Sequence, residues 1–270
     1  MTLPIIEAMS STEATSIDEV PLPTLASEKL NGIRAIWNPG ANRFQTKRHK
    51  FWRPWMTEKI WGKDVAPPTT ALDGEFYIPG AQLGTIASAA GVTILEDPGV
   101  PILYGVFDII TPITSARRRI TLLDSLTHLP CEFVQHILCE TREELQGIYD
   151  HFKSRNAEGI VCRHVNSPYA HGVRSSLVHK LKFFKEIEVT VIDFIEGEGK
   201  FAGTLGAMLV RDAAGRVFST GGGEMTNEDR NRVWANRPRY LNQLATIKFP
   251  YTSGDSVPLQ SVFIAWRNYE

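Results

Sequence analysis

Five short pieces of this 270-residue chain carry residue types suited to chemistry at phosphorus. The first is SEKLNGIRA (27–35), in which Lys29 stands just ahead of Gly32, Arg34 and a strand. A lysine amine is a poor nucleophile while protonated, and burial or neighbouring cations can free it for covalent catalysis. Lys29 could then attack a phosphorus atom, with Gly32 allowing close backbone approach and Arg34 neutralising phosphate. The second piece is LDGEFY (72–77), where strand alternation puts Asp73 and Glu75 on one face, able to meet a ribose or a metal. The third, YGVFDI (104–109), offers Phe107 and Asp108 at the end of a buried strand, and an aromatic there could stack on a base. In the fourth, AEGIVCRH (157–164), Glu158 opens a strand where a hard cation such as Mg²⁺ could take a carboxylate. The fifth, HKLKFF (179–184), places Lys180 and Lys182 on one strand face, which suits two phosphates of a triphosphate.

Each piece alone also has a plain structural reading: a surface lysine before a turn, a solvated edge strand, a core phenylalanine. The same holds for two basic clusters. TKRHKFWR (46–53) interleaves cations with Phe51 and Trp52, as a surface tracking a nucleic-acid backbone would. SARRR (115–119) has a solvated basic face as its default reading.

The elements that must position these residues read as mixed α/β from Ser27 onward. Strand-like apolar runs cover 33–38, 70–78, 101–110 and 159–164. A helix is predicted over 141–155, with Leu145, Ile148, Tyr149 and Phe152 on one face and Thr141 and Glu144 spaced as a capping box. Residues 9–19 are Ser/Thr/Glu-rich, and residues 1–24 are expected to be a loosely ordered N-terminal segment. After a basic strand (177–185) the pattern changes to strands separated by Gly-rich turns, interrupted by one short helix (226–235) with Thr226 and Asp229 as its capping pair. This suits a small Greek-key barrel of the OB type, and the boundary is placed near Glu186.

Composition narrows the field. With 29 Lys+Arg against 30 Asp+Glu the formal net charge is −1. A uniformly basic architectural protein is thereby excluded, whereas a local basic surface for nucleic acid is not. Cys131, Cys139 and Cys162 form no C-x-x-C pair, which speaks against a zinc ribbon and against a disulfide framework. The N-terminus lacks the cationic region and length of a signal peptide, and no window is apolar enough to span a membrane. A soluble, cytoplasmic protein in a reduced compartment is expected.

Order and spacing join the five pieces. Lysine with Gly and Arg, then LDGE, a strand ending in FD, EGIV and K-x-K resemble the covalent nucleotidyltransferases, which comprise DNA ligases, RNA ligases and mRNA capping enzymes. Within that superfamily the C-terminal GKFAGTLGAMLV (199–210), the helix beginning MTNEDR, LATIKF and VPLQSVFIAWR resemble the OB domain of small ATP-dependent DNA ligases of bacteria and viruses. The resemblance runs from about Leu25 to Arg267. It implies an α+β fold, a nucleotidyltransferase (adenylation) domain over 1–186 followed by an OB-fold β-barrel over 187–270. It also implies ATP and Mg²⁺ as cofactors, nicked double-stranded DNA as partner, and a monomer in a bacterial or phage setting. By the same resemblance Lys29 would carry AMP, Arg34 would contact AMP and the 5′-phosphate, Glu75 the ribose, and Phe107 the adenine. Glu158 would bind Mg²⁺, and Lys180 and Lys182 would hold the phosphates of ATP. Lys47, Arg48, Arg163 and Arg174 would contact DNA.

Three departures from the family pattern stand out. Asn31 replaces the usual Asp after the nucleophile, which keeps the hydrogen-bonding shape and loses a charge. Thr46 is followed by Lys47 and only then Arg48, where the family usually has Ser/Thr-Arg. In the C-terminal motif Pro258, Phe263 and Arg267 fit, but Leu259 and Ala265 sit where many ligases carry arginines, so self-adenylation is expected to be slower or to lean on other cations. Rival readings are an RNA-joining or capping enzyme on the same scaffold, and a nucleic-acid-binding relative that has lost catalysis.

Overall fold

The computed structural model describes residues 3–267 apart from 64, 82, 92, 114 and 254; the outermost residues of the two expected domains lie outside the described residues. The chain divides into two compact units between Lys182 and Phe183.

Unit 1 runs β1 (Ser10–Glu13), β2 (Thr24–Glu28), β3 (Ile33–Asn38), β4 (Arg43–Thr46), α1 (Pro54–Trp61), β5 (Ala71–Tyr77), α2 (Leu83–Ala90), β6 (Leu103–Ile110), α3 (Ala116–Asp124), β7 (Glu132–Phe133), β8 (His136–Cys139), α4 (Arg142–Ser154), β9 (Gly159–His164) and β10 (Arg174–Lys182). Two five-stranded sheets result, one ordered β1-β10-β9-β2-β8 and the other β4-β3-β5-β6-β7. The second sheet carries the main core, in which Trp37, Phe44, Trp61, Phe76 and Tyr104 pack largely edge-to-face. Such pairs add to simple area burial because the positive ring edge meets the negative face. Trp52 belongs to this core too, buried and donating its indole N–H to the Ala90 carbonyl. The reading of 46–53 as a surface interleaving cations with both aromatics is corrected on that point. Pro54 opens α1 and Met56, Ile60 and Trp61 bury its inner face, so the indole of Trp52 follows the helix into the core.

The helix α4 forms where its pattern requires. Thr141 accepts from the Glu144 N–H while the Glu144 carboxylate accepts from the Thr141 N–H, and Leu145 and Phe152 are the residues it buries. The N-terminal segment departs from expectation. β1 pairs in parallel with β10, and Ser16 and Glu19 form a reciprocal capping box on the short 3₁₀ turn Ile17–Glu19. Its polar residues are ordered because the edge of β10 supplies the backbone partners that the segment could not make alone.

Unit 2 contains β11 (Lys185–Glu196), β12 (Leu205–Asp212), β13 (Val217–Gly221), α5 (Asn227–Ala235), α6 (Arg237–Tyr240), β14 (Leu244–Phe249), β15 (Tyr251–Thr252), β16 (Pro258–Leu259) and β17 (Val262–Arg267). Strands β11-β12-β13-β17-β14 close into a barrel around Val189, Val191, Met208, Val210, Ala245 and Ile247. The expected single helix is followed by a second, one-turn helix, α6. Between β12 and β13 the turn is locked by Asp212, whose carboxylate accepts from the backbone N–H groups of Ala214 and Arg216 and from the Arg216 guanidinium.

Candidate active site

A pocket of about 170 Å³ opens in unit 1, lined from both sheets. β1, β2, β9 and β10 contribute Ser10, Ser11, Ser27, Val161, Arg163, Val178 and Lys180; β3, β5 and β6 contribute Arg34, Asp73, Glu75, Phe107 and Asp108; Lys29 and Leu30 come from the β2–β3 connection. Five of the residues expected to act on the nucleotide therefore meet here, Lys29, Arg34, Glu75, Phe107 and Lys180, together with Arg163.

Lys29 is fixed at both ends. Its backbone N–H donates to the Gly159 carbonyl at 2.9 Å, and its Nζ lies 2.6 Å from Glu158 Oε1. Gly159 is required for the close approach of β9 to β10, since a Cβ there would stand 2.1 Å from the Leu181 carbonyl oxygen. Gly32 serves packing of the same kind. A Cβ on it would meet the Phe76 carbonyl at 2.5 Å, so the demand for glycine comes from the neighbouring strand and is accounted for without an approaching phosphate.

Arg34 and Glu75 pair across β3 and β5, but their side chains go to different partners. The Arg34 guanidinium makes a two-pronged ion pair with Asp73 and donates to the Met9 carbonyl at 3.1 Å. Burial opposes its charge, yet Asp73 outweighs burial and holds the guanidinium pKa above its ordinary value. Asp73 is fully buried and also accepts from the Tyr169 hydroxyl at 2.6 Å, so it is a structural anchor for Arg34. Glu75 is left with a buried Oε2 that has no hydrogen-bond partner among the described residues. Burial pushes its carboxyl up to about 7, against the opposing pull of Lys29 and Arg34.

That shift carries a prediction. A carboxyl whose folded pKa is raised adds stability that is fully present below the unfolded value of about 4.3 and is lost as pH rises through about 7. Glu75→Gln is therefore expected to remove a stability decline on the order of 1–3 kcal/mol between those limits. Denaturant unfolding of both proteins across pH 4.5–8 checks it; parallel pH profiles would contradict it.

Phe107 reaches the pocket through a β-bulge. Asp73 pairs with Asp108 and Gly74 with Val106, so Phe107 is the extra residue of β6. Strict alternation would send adjacent residues to opposite faces, whereas the bulge lets Phe107 and Asp108 both line the pocket. The guanidinium groups of Arg34 and Arg163 lie over the Phe107 ring, 4.9 Å and 5.1 Å from its centroid.

Arg163, expected as a DNA contact, is buried within the pocket wall. It donates to Ser27 Oγ, sits 3.7 Å from Asp108, and leaves its Nε without a hydrogen-bond partner among the described residues. The structure thus encloses this guanidinium on β9, in the wall of the pocket. Its burial lowers its pKa in spite of Asp108 and Asp73, and the same burial together with Arg163 pushes His136 on β8 down to about 3, leaving that ring neutral.

Arg119 corrects a second reading. Arg117 and Arg118 are exposed, but Arg119 is completely buried and grips both oxygens of Asp108, while also donating to the carbonyls of Ile113 and Ser167. The signal available in sequence was helical spacing: Ala116, Arg119 and Leu123 share the inward face of α3.

The remaining cations lie outward. Lys180 pairs with Glu13 at 3.3 Å at the pocket. Lys182 is half-buried opposite Gly159 and is not among the lining residues. Lys47 and Arg48 are exposed in the turn after β4, and Arg174 is exposed on β10, donating to the Ser11 carbonyl at 2.6 Å. Partial burial, then the charges of Arg34, Arg174 and Lys180, depress the Lys47 pKa.

A lysine-bearing pocket between two sheets, in a chain that continues into a five-stranded barrel, is the architecture of a covalent nucleotidyltransferase. Comparison with known proteins narrows this. Residues 70–182 match the family model of the ATP dependent DNA ligase domain, and residues 196–267 that of the DNA ligase OB-like domain. The chain is 26% identical over 245 residues to a DNA ligase of Haemophilus influenzae, covering 89% of this chain and 85% of that protein. In fold it is similar to a structure from a structure–function study of Lig E DNA ligases, at a TM-score of 0.78 and 23% identity over 97% of this chain and all of that one. It is also similar to the Chlorella virus DNA ligase-adenylate, at a TM-score of 0.55 and 23% identity over 99% of this chain and all of that one. The chain belongs to the ATP-dependent DNA ligases.

Proposed function

We propose that this DNA ligase seals nicks through Lys29, and the observation that carries the assignment is the Lys29 amine held in the pocket against Glu158 at 2.6 Å. Lys29 Nζ attacks the α-phosphorus of ATP, forming a phosphoramidate as the bond to pyrophosphate breaks. The proton that the amine must lose has an acceptor within reach in Glu158 Oε1. AMP then passes from Lys29 to the 5′-phosphate of the nick, and the 3′-hydroxyl displaces AMP to join the strand. Each step is a displacement at phosphorus, in which positioning and charge stabilisation do most of the catalysis.

The unpartnered Oε2 of Glu75 suits a ribose hydroxyl donor, which favours binding in the carboxylate form. Phe107 offers a stacking surface for adenine. Arg34, preset by Asp73, and Lys180, once freed from Glu13, face the phosphates. Lys182 adds positive charge on the same strand face.

Glu158 would supply a carboxylate of the kind with which Mg²⁺ is usually bound alongside substrate phosphates. Among the described residues no cluster of three or more His, Cys, Asp or Glu side chains could hold a metal by itself. Mg²⁺ there would act as Lewis acid and template for the phosphates.

Lys47, Arg48 and Arg174 are the candidate duplex contacts, and the enzyme is read as a monomer. The three free cysteines support a reduced, cytoplasmic setting. Among the described residues no helix is long and apolar enough to cross a membrane.

The activity test is joining of a 5′-phosphorylated nick in duplex DNA with ATP and Mg²⁺, beside the same nick in RNA and beside GTP. Joining of DNA with ATP supports the reading; preference for RNA or GTP overturns it. The locked turn after β12 leaves no long hairpin to encircle DNA, so nick binding is expected to rest on surface cations. Affinity should then fall on the order of a thousandfold between about 50 and about 200 mM salt if about six phosphates are neutralised. A flat salt profile would contradict it.

A further inference from the structure

We infer that the N-terminal strand β1 is a working wall of the nucleotide pocket, presenting the hydroxyls of Ser10 and Ser11 to the triphosphate, and that Tyr169 is the positioning residue that clamps it there. The inference rests on the pocket being the ATP site.

Three observations support it. First, Met9, Ser10 and Ser11 line the pocket although they precede Lys29 by some twenty residues of chain. Parallel pairing with β10 breaks register between Ser11 and Thr12, where Ser11 is opposite Ser175 but Thr12 is opposite His179. The strand thus keeps regular pairing through both serines, and each of them lines the pocket.

Second, the strand is held by a closed ring of hydrogen bonds. The Tyr169 hydroxyl donates to Asp73 at 2.6 Å, Asp73 accepts the Arg34 guanidinium, Arg34 donates to the Met9 carbonyl at 3.1 Å, and the Met9 N–H donates to the Tyr169 oxygen at 3.3 Å. Met9 and Tyr169 also pack in one small core with Val178, and Tyr169 is itself buried. The ring ties Arg34 and the backbone before Ser10 to one buried phenol.

Third, the surroundings of the two serines are cationic. Arg174 pairs opposite Ser10 and donates to the Ser11 carbonyl, Lys180 reaches Glu13 at the other end of the strand, and Arg34 binds just before it. Hydroxyl donors set among three cations are suited to anionic oxygens, and hydrogen bonds to charged acceptors are about twice as strong as neutral ones. The tail of the nucleotide, beyond the α-phosphate at Lys29, is the anion that reaches this edge.

The test compares ATP and AMP. Titration calorimetry of Ser10→Ala/Ser11→Ala, and of Tyr169→Phe, gives affinities for each nucleotide, and the rate of covalent AMP formation is followed against ATP concentration. For the serine pair, ATP affinity should fall about tenfold or more, AMP affinity by less, and the KM for ATP should rise more than the maximal rate falls. Tyr169→Phe keeps the ring packing and removes the hydroxyl. It should shift ATP affinity in the same direction and lower the maximal rate as well, since Asp73, which presets Arg34, loses the Tyr169 hydroxyl donor. Unchanged ATP affinity, or an equal loss for ATP and AMP, in the serine variant overturns the proposal even if Tyr169→Phe fails to fold. Absence of any AMP adduct on the wild-type protein would instead overturn the proposed function.

Discussion

Replacing Lys29 with alanine is expected to abolish covalent AMP on the protein and to lower ATP-dependent sealing on the order of 10⁴-fold or more. The loss falls on the first two steps, because Lys29 forms its bond to AMP in the first and gives it up in the second. A nick supplied already adenylated at its 5′-phosphate should still be joined, at a rate reduced far less. Lys29→Arg sharpens the point: it retains a cation beside Glu158, 2.6 Å from the present amine, but offers no comparable nucleophile. Both variants should fail to take up AMP. If Lys29→Arg keeps adenylating, Lys29 is an electrostatic contact and the nucleophile lies elsewhere. Gel separation of joined strand, adenylated strand and nick distinguishes the outcomes in one assay.

The second large effect is on stability. Arg119→Ala removes the buried cation that grips both oxygens of Asp108 and leaves that carboxylate with the Arg163 Nε at 3.7 Å as its remaining ion-pair partner. Breaking one side of a buried pair typically costs about 3–5 kcal/mol, because the other charge stays desolvated. Denaturant unfolding should show that loss, and Arg119→Ala/Asp108→Ala should cost less than the sum of the two single changes. A cost for Arg119→Ala below about 1 kcal/mol would mean that water reaches Asp108. The pair matters to the site as well as to the fold. Asp108 adjoins Phe107 on the bulged strand, and Arg163 bridges Asp108 to the Phe107 ring.

What could be read from the residues alone follows a physical division. β3 and β9 occupy the predicted 33–38 and 159–164, because short apolar runs bounded by turn residues announce strands locally. α4 and α5 begin at their predicted capping boxes for the same reason: the signal and the structure lie within one turn of chain. The meeting of Lys29, Arg34, Glu75, Phe107 and Lys180 in one pocket was legible through motif order.

The rest was set by contacts distant in sequence. β1 is polar and lacks alternation, and its order comes from an edge strand some 160 residues away. The bulge at Phe107 is a mismatch between two strands and leaves no mark in either one. Arg119 stands in a run of three arginines, and only its helical phase separates the buried one from its solvated neighbours. Arg163 has the composition of a surface cation, and its place on a strand between β2 and β10 encloses it.

The central claim, that Lys29 is the residue that carries AMP, is tested most directly by incubating the protein with ATP and Mg²⁺ and locating the adduct by peptide mass spectrometry. The account predicts one AMP per chain, on the peptide containing Lys29, discharged on addition of nicked DNA. An adduct on any other residue, or none on a protein that nevertheless joins DNA with ATP, would contradict it.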